Sequence, residues 1–176
     1  MSKPAVSVLV ALLLSSAVSR AEDVTPPGTP APDWTLQGSD GKTYSSAQFK
    51  GKGFVLAWFP KAFTGGCTEE LGAVRDAQSE LARFDATVFM VSFDPPEKNA
   101  DFAKSLNAKL VLLSDPKGDV ANAYGVSGLG GMYAKRWTFY VDRGGVIRFV
   151  DRNVQTATAG KDIAAKLDEL GFQKRR

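Results

Sequence analysis

The stretch "FPKAFTGGCTEE", Phe59 to Glu70, holds the only cysteine among 176 residues, and the chain has no histidine. These two counts remove most familiar chemistries. There is no Ser-His or Cys-His pair, no His-ligated zinc and no His-ligated haem, and one cysteine makes neither an internal disulfide nor a Cys-rich metal cluster. No metal and no cofactor are expected. Redox or nucleophilic chemistry falls to Cys67, helped by hydroxyls, carboxylates, Lys or Arg. A lone cysteine is most often a small buried hydrophobe, but the setting of Cys67 argues otherwise. It follows two glycines where a helical pattern begins, and a helix N-terminus offers unpaired N–H donors and partial positive charge, which favour thiolate over thiol. Gly65 and Gly66 leave room for a small substrate to reach the sulfur. Thr64 offers a hydroxyl three residues earlier, and Pro60, which lacks an N–H, closes the preceding strand.

The elements that must position these residues can be read on either side. "GFVLAWF", Gly53 to Phe59, is a continuous apolar run of strand length, as suits a strand buried on both faces. From Cys67 to Phe84, Leu71, Val74, Ala77, Leu81 and Phe84 recur at three- and four-residue spacings and predict a single helix. Thr64 is its expected N-cap, with Glu69 and Glu70 in the first turn. "TVFMVSF" and "KLVLLSD" predict further strands, and "PEKNADFAKSLN" and "GDVANAYGV" predict helices. "RWTFYVD" and "GVIRFVD" predict a hairpin around Gly144-Gly145, and "AGKDIAAKLDELG" a closing helix ended by Gly171. Earlier, "DWTLQGSDGKTYSSAQF" predicts a hairpin turning at Ser39-Asp40-Gly41. Alternating strands and helices give an α/β fold with a thioredoxin-like layout: a central mixed β-sheet flanked by helices, with an N-terminal β-hairpin extension.

Three segments are expected along the chain. Residues 1–21 carry Lys3, an apolar stretch from Ala5 to Ala17 and small residues at Ser19 and Ala21, the pattern of a secretory signal peptide cleaved after Ala21; the alternative is an uncleaved N-terminal anchor. Residues 22–30 are a Pro-rich lead-in, and residues 31–176 form the folded domain. The first 21 residues hold two of the 22 basic residues and none of the 19 acidic ones, so the rest of the chain is nearly neutral. That balance implies no nucleic-acid face. "GVSGLGGMYAKR" is Gly-rich but lacks a Gly-Lys-Ser/Thr ending and precedes a strand, so it reads as a loop bringing Arg136 into place.

Pro60, Thr64 and Cys67 match the P-x-x-x-T-x-x-C motif, and with "VSFDPPEKNADFAKSLNAKLVLLSDPKGDVANAYGV" and "KRWTFYVDRGGVIR" the chain resembles the peroxiredoxins, especially their bacterioferritin comigratory protein branch, from Ala31 to Gly171. The resemblance implies a thiol-dependent peroxidase acting on hydrogen peroxide or small organic hydroperoxides. Cys67 would be the peroxidatic thiolate, Thr64 would hold the peroxide, Arg136 would stabilise thiolate and transition state, and Pro60 would shield the sulfur. Glu70 either orients an arginine or is an ordinary helix acid; Arg75 either joins that network or is solvated. Where branch members place a resolving cysteine, this chain has Gly72, and Gly65 replaces the usual proline. The expected form is therefore a one-cysteine enzyme that depends on an external thiol of thioredoxin, glutaredoxin or glutathione type. It would be secreted or periplasmic, free of the membrane after cleavage, and a monomer or weak homodimer. The competing readings are a thiol–disulfide oxidoreductase, which lacks a C-x-x-C, and a thioredoxin-fold binding module or peroxide sensor without multiple turnover.

Overall fold

The computed structural model describes residues 25–175; the expected signal segment, 1–21, lies outside them. Seven strands form one mixed sheet in the order β2-β1-β5-β4-β3-β6-β7. The strands are β1 (Thr35–Gly38), β2 (Thr43–Ser45), β3 (Gly53–Trp58), β4 (Ala86–Ser92), β5 (Leu112–Ser114), β6 (Thr138–Val141) and β7 (Ile147–Asp151). β3, β4 and β5 run parallel, while β6 joins β3 antiparallel, pairing Ala57 with Thr138. The helices are α1 (Gly65–Asp76), α2 (Gln78–Leu81), α3 (Pro96–Ser105), α4 (Asp119–Ala123) and α5 (Ala159–Glu169). None of the helices among the described residues is long and apolar enough to cross a membrane.

The unbroken apolar run of β3 follows from burial on both faces. Val55, Ala57 and Phe59 join the core under α1, α2, α3 and α5 with Leu71, Phe102 and Ile163. Phe54, Leu56 and Trp58 face a second core with Trp34, Phe89, Tyr124 and Phe139. The N-terminal hairpin turns where expected: Gly41 takes φ +80°, and the Asp40 carboxylate accepts from Lys42 N–H (3.1 Å) and Tyr44 O–H (2.8 Å). Pro96 occupies the first turn of α3, where its missing N–H costs nothing.

Three expectations are corrected. The single helix from Cys67 to Phe84 is two, broken at Ala77 (φ −86°, ψ 3°). α5 packs against α1 next to the break: Gly160 lies so close that a Cβ there would fall 2.3 Å from the Ala73 carbonyl oxygen. Leu81 and Phe84 remain buried after the break, so the hydrophobic spacing does not register it. α1 also begins at Gly65, two residues early, which moves Glu69 and Glu70 beyond its first turn. Finally, the part of the Pro-rich lead-in that is described is tied down. Thr25 Oγ1 donates to the Tyr124 carbonyl (2.8 Å), and Gly28, Thr29 and Ala31 exchange backbone hydrogen bonds with Gly145 and Ile147 at the β6–β7 turn.

Candidate active site

The sheet brings the distant arginine to the cysteine. β3 and β6 pair through Ala57 and Thr138, and Trp58 N–H donates to the Trp137 carbonyl at 2.9 Å. Arg136 therefore enters beside the end of β3, where the Pro60–Thr64 loop leads into α1. Its Nη2 donates to Cys67 Sγ at 3.3 Å, and its Nη1 pairs with Glu70 Oε2. Cys67 and Glu70 lie one turn apart on α1, so a single guanidinium spans both. Gly66 lies close to this contact: a Cβ there would stand 3.3 Å from Arg136 Nη2 and 3.8 Å from Thr156 Cγ2. Gly65 faces open space.

The electrostatics of the trio follow from burial. Cys67 and Glu70 are both fully buried, and Glu70 Oε1 has no hydrogen-bond partner. Burial pushes the Glu70 carboxyl up to about 7, although Arg136 pulls it back through charge and hydrogen bond. Burial works against the charge on Arg136, but Glu70 and Cys67 outweigh it and hold the guanidinium above its ordinary range. Arg136 thus stays charged beside the sulfur and acts through its field and its N–H groups.

Thr64 is the backbone N-cap of α1 (φ −95°, ψ 154°), but its side chain does not cap; Oγ1 donates to the Lys61 carbonyl at 2.9 Å. The hydroxyl proton is thereby committed, while the oxygen keeps lone pairs that can accept from a peroxide O–H. Thr68 N–H returns to the Thr64 carbonyl at 2.9 Å. The N–H groups of Gly65, Gly66 and Cys67 precede that bond and are the donors a helix start presents. Pro60, half-buried, begins the loop.

Of the residues expected at the site, Cys67, Glu70 and Arg136 are in direct contact, and Thr64 and Pro60 lie on the loop that opens α1. Arg75 is not brought in: it bonds Asp76 and the Leu106 carbonyl (2.8 Å), because its position on α1 turns it toward the end of α3. Glu69, which sequence reading assigned only a helix-end role, accepts from Thr156 on the turn before α5. Asp94, unmarked by any spacing rule, accepts from Ala62 N–H at 2.7 Å; its one signal in the sequence is a carboxylate where β4 ends, next to Pro95-Pro96. Trp34 and Trp58 are core residues, and Trp137 lies against Lys135 and Arg152, each 4.6 Å from its ring.

The chain as a whole matches known proteins. The AhpC/TSA family model matches residues 27–150. Alkyl hydroperoxide reductase E of Mycobacterium bovis is 38% identical over 127 residues, covering 70% of this chain and 83% of that protein. Chloroplastic peroxiredoxin Q of Triticum aestivum is 36% identical over 127 residues, covering 72% of this chain and 58% of its own. The chain thus spans less than two thirds of the plant protein it matches. Among solved structures, peroxidoxin BcpB of Mycobacterium tuberculosis superposes with a TM-score of 0.74 at 31% identity, covering 82% of this chain and 97% of that one. A Xanthomonas campestris bacterioferritin comigratory protein shares the fold at a TM-score of 0.71 and 22% identity, over 77% of this chain and 90% of that one. With the motif, the arginine and the thioredoxin-like sheet all in place, the chain belongs to the AhpC/TSA family, as a one-cysteine relative of peroxiredoxin Q and the bacterioferritin comigratory proteins.

Proposed function

We propose that the protein is a thiol-dependent peroxidase that reduces hydrogen peroxide or small organic hydroperoxides. The observation that carries this reading is the 3.3 Å contact between Arg136 Nη2 and Cys67 Sγ at the start of α1. The Cys67 thiolate attacks the distal peroxide oxygen in line. An S–O bond forms, the O–O bond breaks, and the leaving alkoxide or hydroxide takes a proton to become alcohol or water. Cys67 is left as a sulfenic acid. Thr64 Oγ1 accepts from the peroxide O–H, and Arg136 with the N–H groups at the helix start stabilises charge spreading along the breaking bond. Glu70 orients Arg136, and Pro60 screens the sulfur. Arg75 has no part.

With no second cysteine in the chain, an outside thiol attacks the sulfenic sulfur, releases water and leaves a mixed disulfide. A second thiol then displaces Cys67. Thioredoxin, glutaredoxin and glutathione types fit this chemistry. The signal-like residues 1–21 support a secreted or periplasmic setting, and the protein is proposed to act as a monomer or weak homodimer. The test is peroxide consumption by the chain without residues 1–21 in the presence of glutathione, thioredoxin, glutaredoxin or dithiothreitol. Many equivalents consumed per protein, and none by Cys67→Ser, support the peroxidase; consumption stopping near one equivalent with every reductant overturns it in favour of a sensor.

A further inference from the structure

The loop that carries Thr64 to α1 is held by a residue far from it in sequence. Asp94, at the end of β4, is 8% exposed. Its Oδ2 accepts from Ala62 N–H at 2.7 Å, and its Oδ1 pairs with Lys98 Nζ at 2.6 Å. Hydrogen bonds to an ionised acceptor are the stronger kind. Asp94 is itself fixed. Its N–H donates to Ser92 Oγ at 3.2 Å, and Asn99 Nδ2 reaches the Asp94 carbonyl at 3.4 Å. The same amide is anchored on Ser114 Oγ (2.9 Å) and on the Leu113 carbonyl (3.2 Å). The tether therefore runs from β5 and α3 to the backbone of a single loop residue.

The next residue shows why a tether is needed. Phe63 has φ +65°, a left-handed conformation that is unfavourable for a residue with a Cβ. It is also 53% exposed, so burial contributes little to holding it. What holds it is the Ala62–Asp94 bond before it, the Thr64–Lys61 bond after it, and contact with Phe102 of α3, 5.0 Å between ring centroids. Without the first of these, Phe63 would be freer to relax toward negative φ, which would change the direction in which Thr64 leaves the loop.

We propose that Asp94 is a positioning residue of the peroxidase site: by holding Ala62 N–H it keeps Phe63 left-handed and so aims the Thr64 hydroxyl and the start of α1 at the peroxide. The role rests on the peroxidase reading and acts through Thr64, since Asp94 bonds the loop rather than Cys67 or Arg136.

The test compares Asp94→Ala, which removes the acceptor, with Asp94→Asn, which keeps a side-chain oxygen in reach of Ala62. In stopped flow, Asp94→Ala oxidises Cys67 with hydrogen peroxide at least about tenfold more slowly, and Asp94→Asn stays within about threefold of wild type, as expected for sub-ångström misplacement of a binding group. Alkylation of the fully buried Cys67 by iodoacetamide rises in Asp94→Ala, opposite to the peroxide rate. In hydrogen exchange, Ala62 N–H loses protection in Asp94→Ala alone. If Asp94→Ala does not fold, Asp94→Ser, with a side chain too short to reach, takes its place. Equal peroxide rates in folded wild type and Asp94→Ala overturn the proposal, as does an equal loss in Asp94→Asn. A wild-type protein whose Cys67 does not react with peroxide defeats the functional reading instead, and the exchange at Ala62 still reports whether the tether exists.

Discussion

Arg136 Nη2 donates to Cys67 Sγ at 3.3 Å while its Nη1 pairs with Glu70, so one guanidinium joins the sulfur to a buried carboxylate one turn along the same helix. The side chain arrives from the start of β6 and is only 22% exposed. On the proposed peroxidase reading, a cation held this way stabilises the attacking sulfur and the developing charge of the breaking peroxide bond. Replacing Arg136 with Met keeps an apolar stem and removes the charge. The expected outcome is a loss of about 10²–10³ in the rate constant for peroxide, the usual cost of one such donor, with the circular dichroism spectrum unchanged. Stopped-flow oxidation measures it; a rate within a factor of two of wild type would remove Arg136 from the chemistry.

Glu70 gives the fold a pH dependence of known sign. Its carboxyl titrates near 7 in the folded chain because burial raises it from an ordinary value near 4.5. Between those values the unfolded chain releases the proton while the folded chain keeps it, so this group's contribution favours folding below about 4.5. That contribution is lost as pH rises through 7, and the total is on the order of 3 kcal/mol. Glu70→Gln lacks this loss. The stability of Glu70→Gln relative to wild type should therefore improve between pH 4.5 and 7 and level off above. Urea denaturation at several pH values tests it, and parallel stability curves for the two proteins would show that Glu70 does not titrate in this range.

The two glycines before Cys67 are predicted to respond differently. Gly65 is the first residue of α1, a Cβ there meets nothing within 4 Å, and Thr64 before it is already extended, as a residue preceding proline must be. Gly65→Pro should stabilise the fold by about 0.4–1 kcal/mol. Gly66→Ala should push Arg136 by a few tenths of an ångström and cost roughly tenfold in peroxide rate. Thermal melts and stopped flow separate the two. A destabilised Gly65→Pro, or a fully active Gly66→Ala, contradicts the geometry at this helix start.

Gly72 marks where a second thiol can be introduced. Residues five apart on a helix have Cα atoms about 8.7 Å apart, beyond the reach of a disulfide, and α1 is continuous from Gly65 to Asp76. Gly72→Cys should nevertheless form a disulfide between Cys67 and the introduced thiol after one equivalent of peroxide, because the glycine pair leaves the first turn easy to unwind. Adding Gly65→Pro should reduce the yield. Peptide mapping gives the answer; sulfinic acid or linked dimers alone would mean that α1 does not open.

Much of this architecture was legible in the sequence because the signals were local. The two-faced burial of β3 appears as an unbroken apolar run, and the hairpins appear at Gly41 and Gly144-Gly145. The meeting of Cys67 and Arg136 was legible through a short motif and one arginine. What escaped depends on contacts between distant segments. The break at Ala77 lies where Gly160 packs closely on α1, and the loop that holds Phe63 is bonded by Asp94, which reaches back to Ala62 from 32 residues on. Arg75, left open on spacing between a place in the arginine network and a solvated role, bonds the Leu106 carbonyl instead.

The central claim is that Cys67 is oxidised by peroxide to a sulfenic acid that only an outside thiol can reduce. The most direct measurement is to mix the protein lacking residues 1–21 with one equivalent of hydrogen peroxide, trap it with dimedone at successive times, and locate the adduct by peptide mass spectrometry. The account predicts that the adduct on Cys67 forms as fast as peroxide disappears, approaches one per chain, and vanishes when a thiol is added before the trap. Peroxide that disappears while Cys67 stays unmodified, or a Cys67 that stays reduced beside intact peroxide, would contradict it.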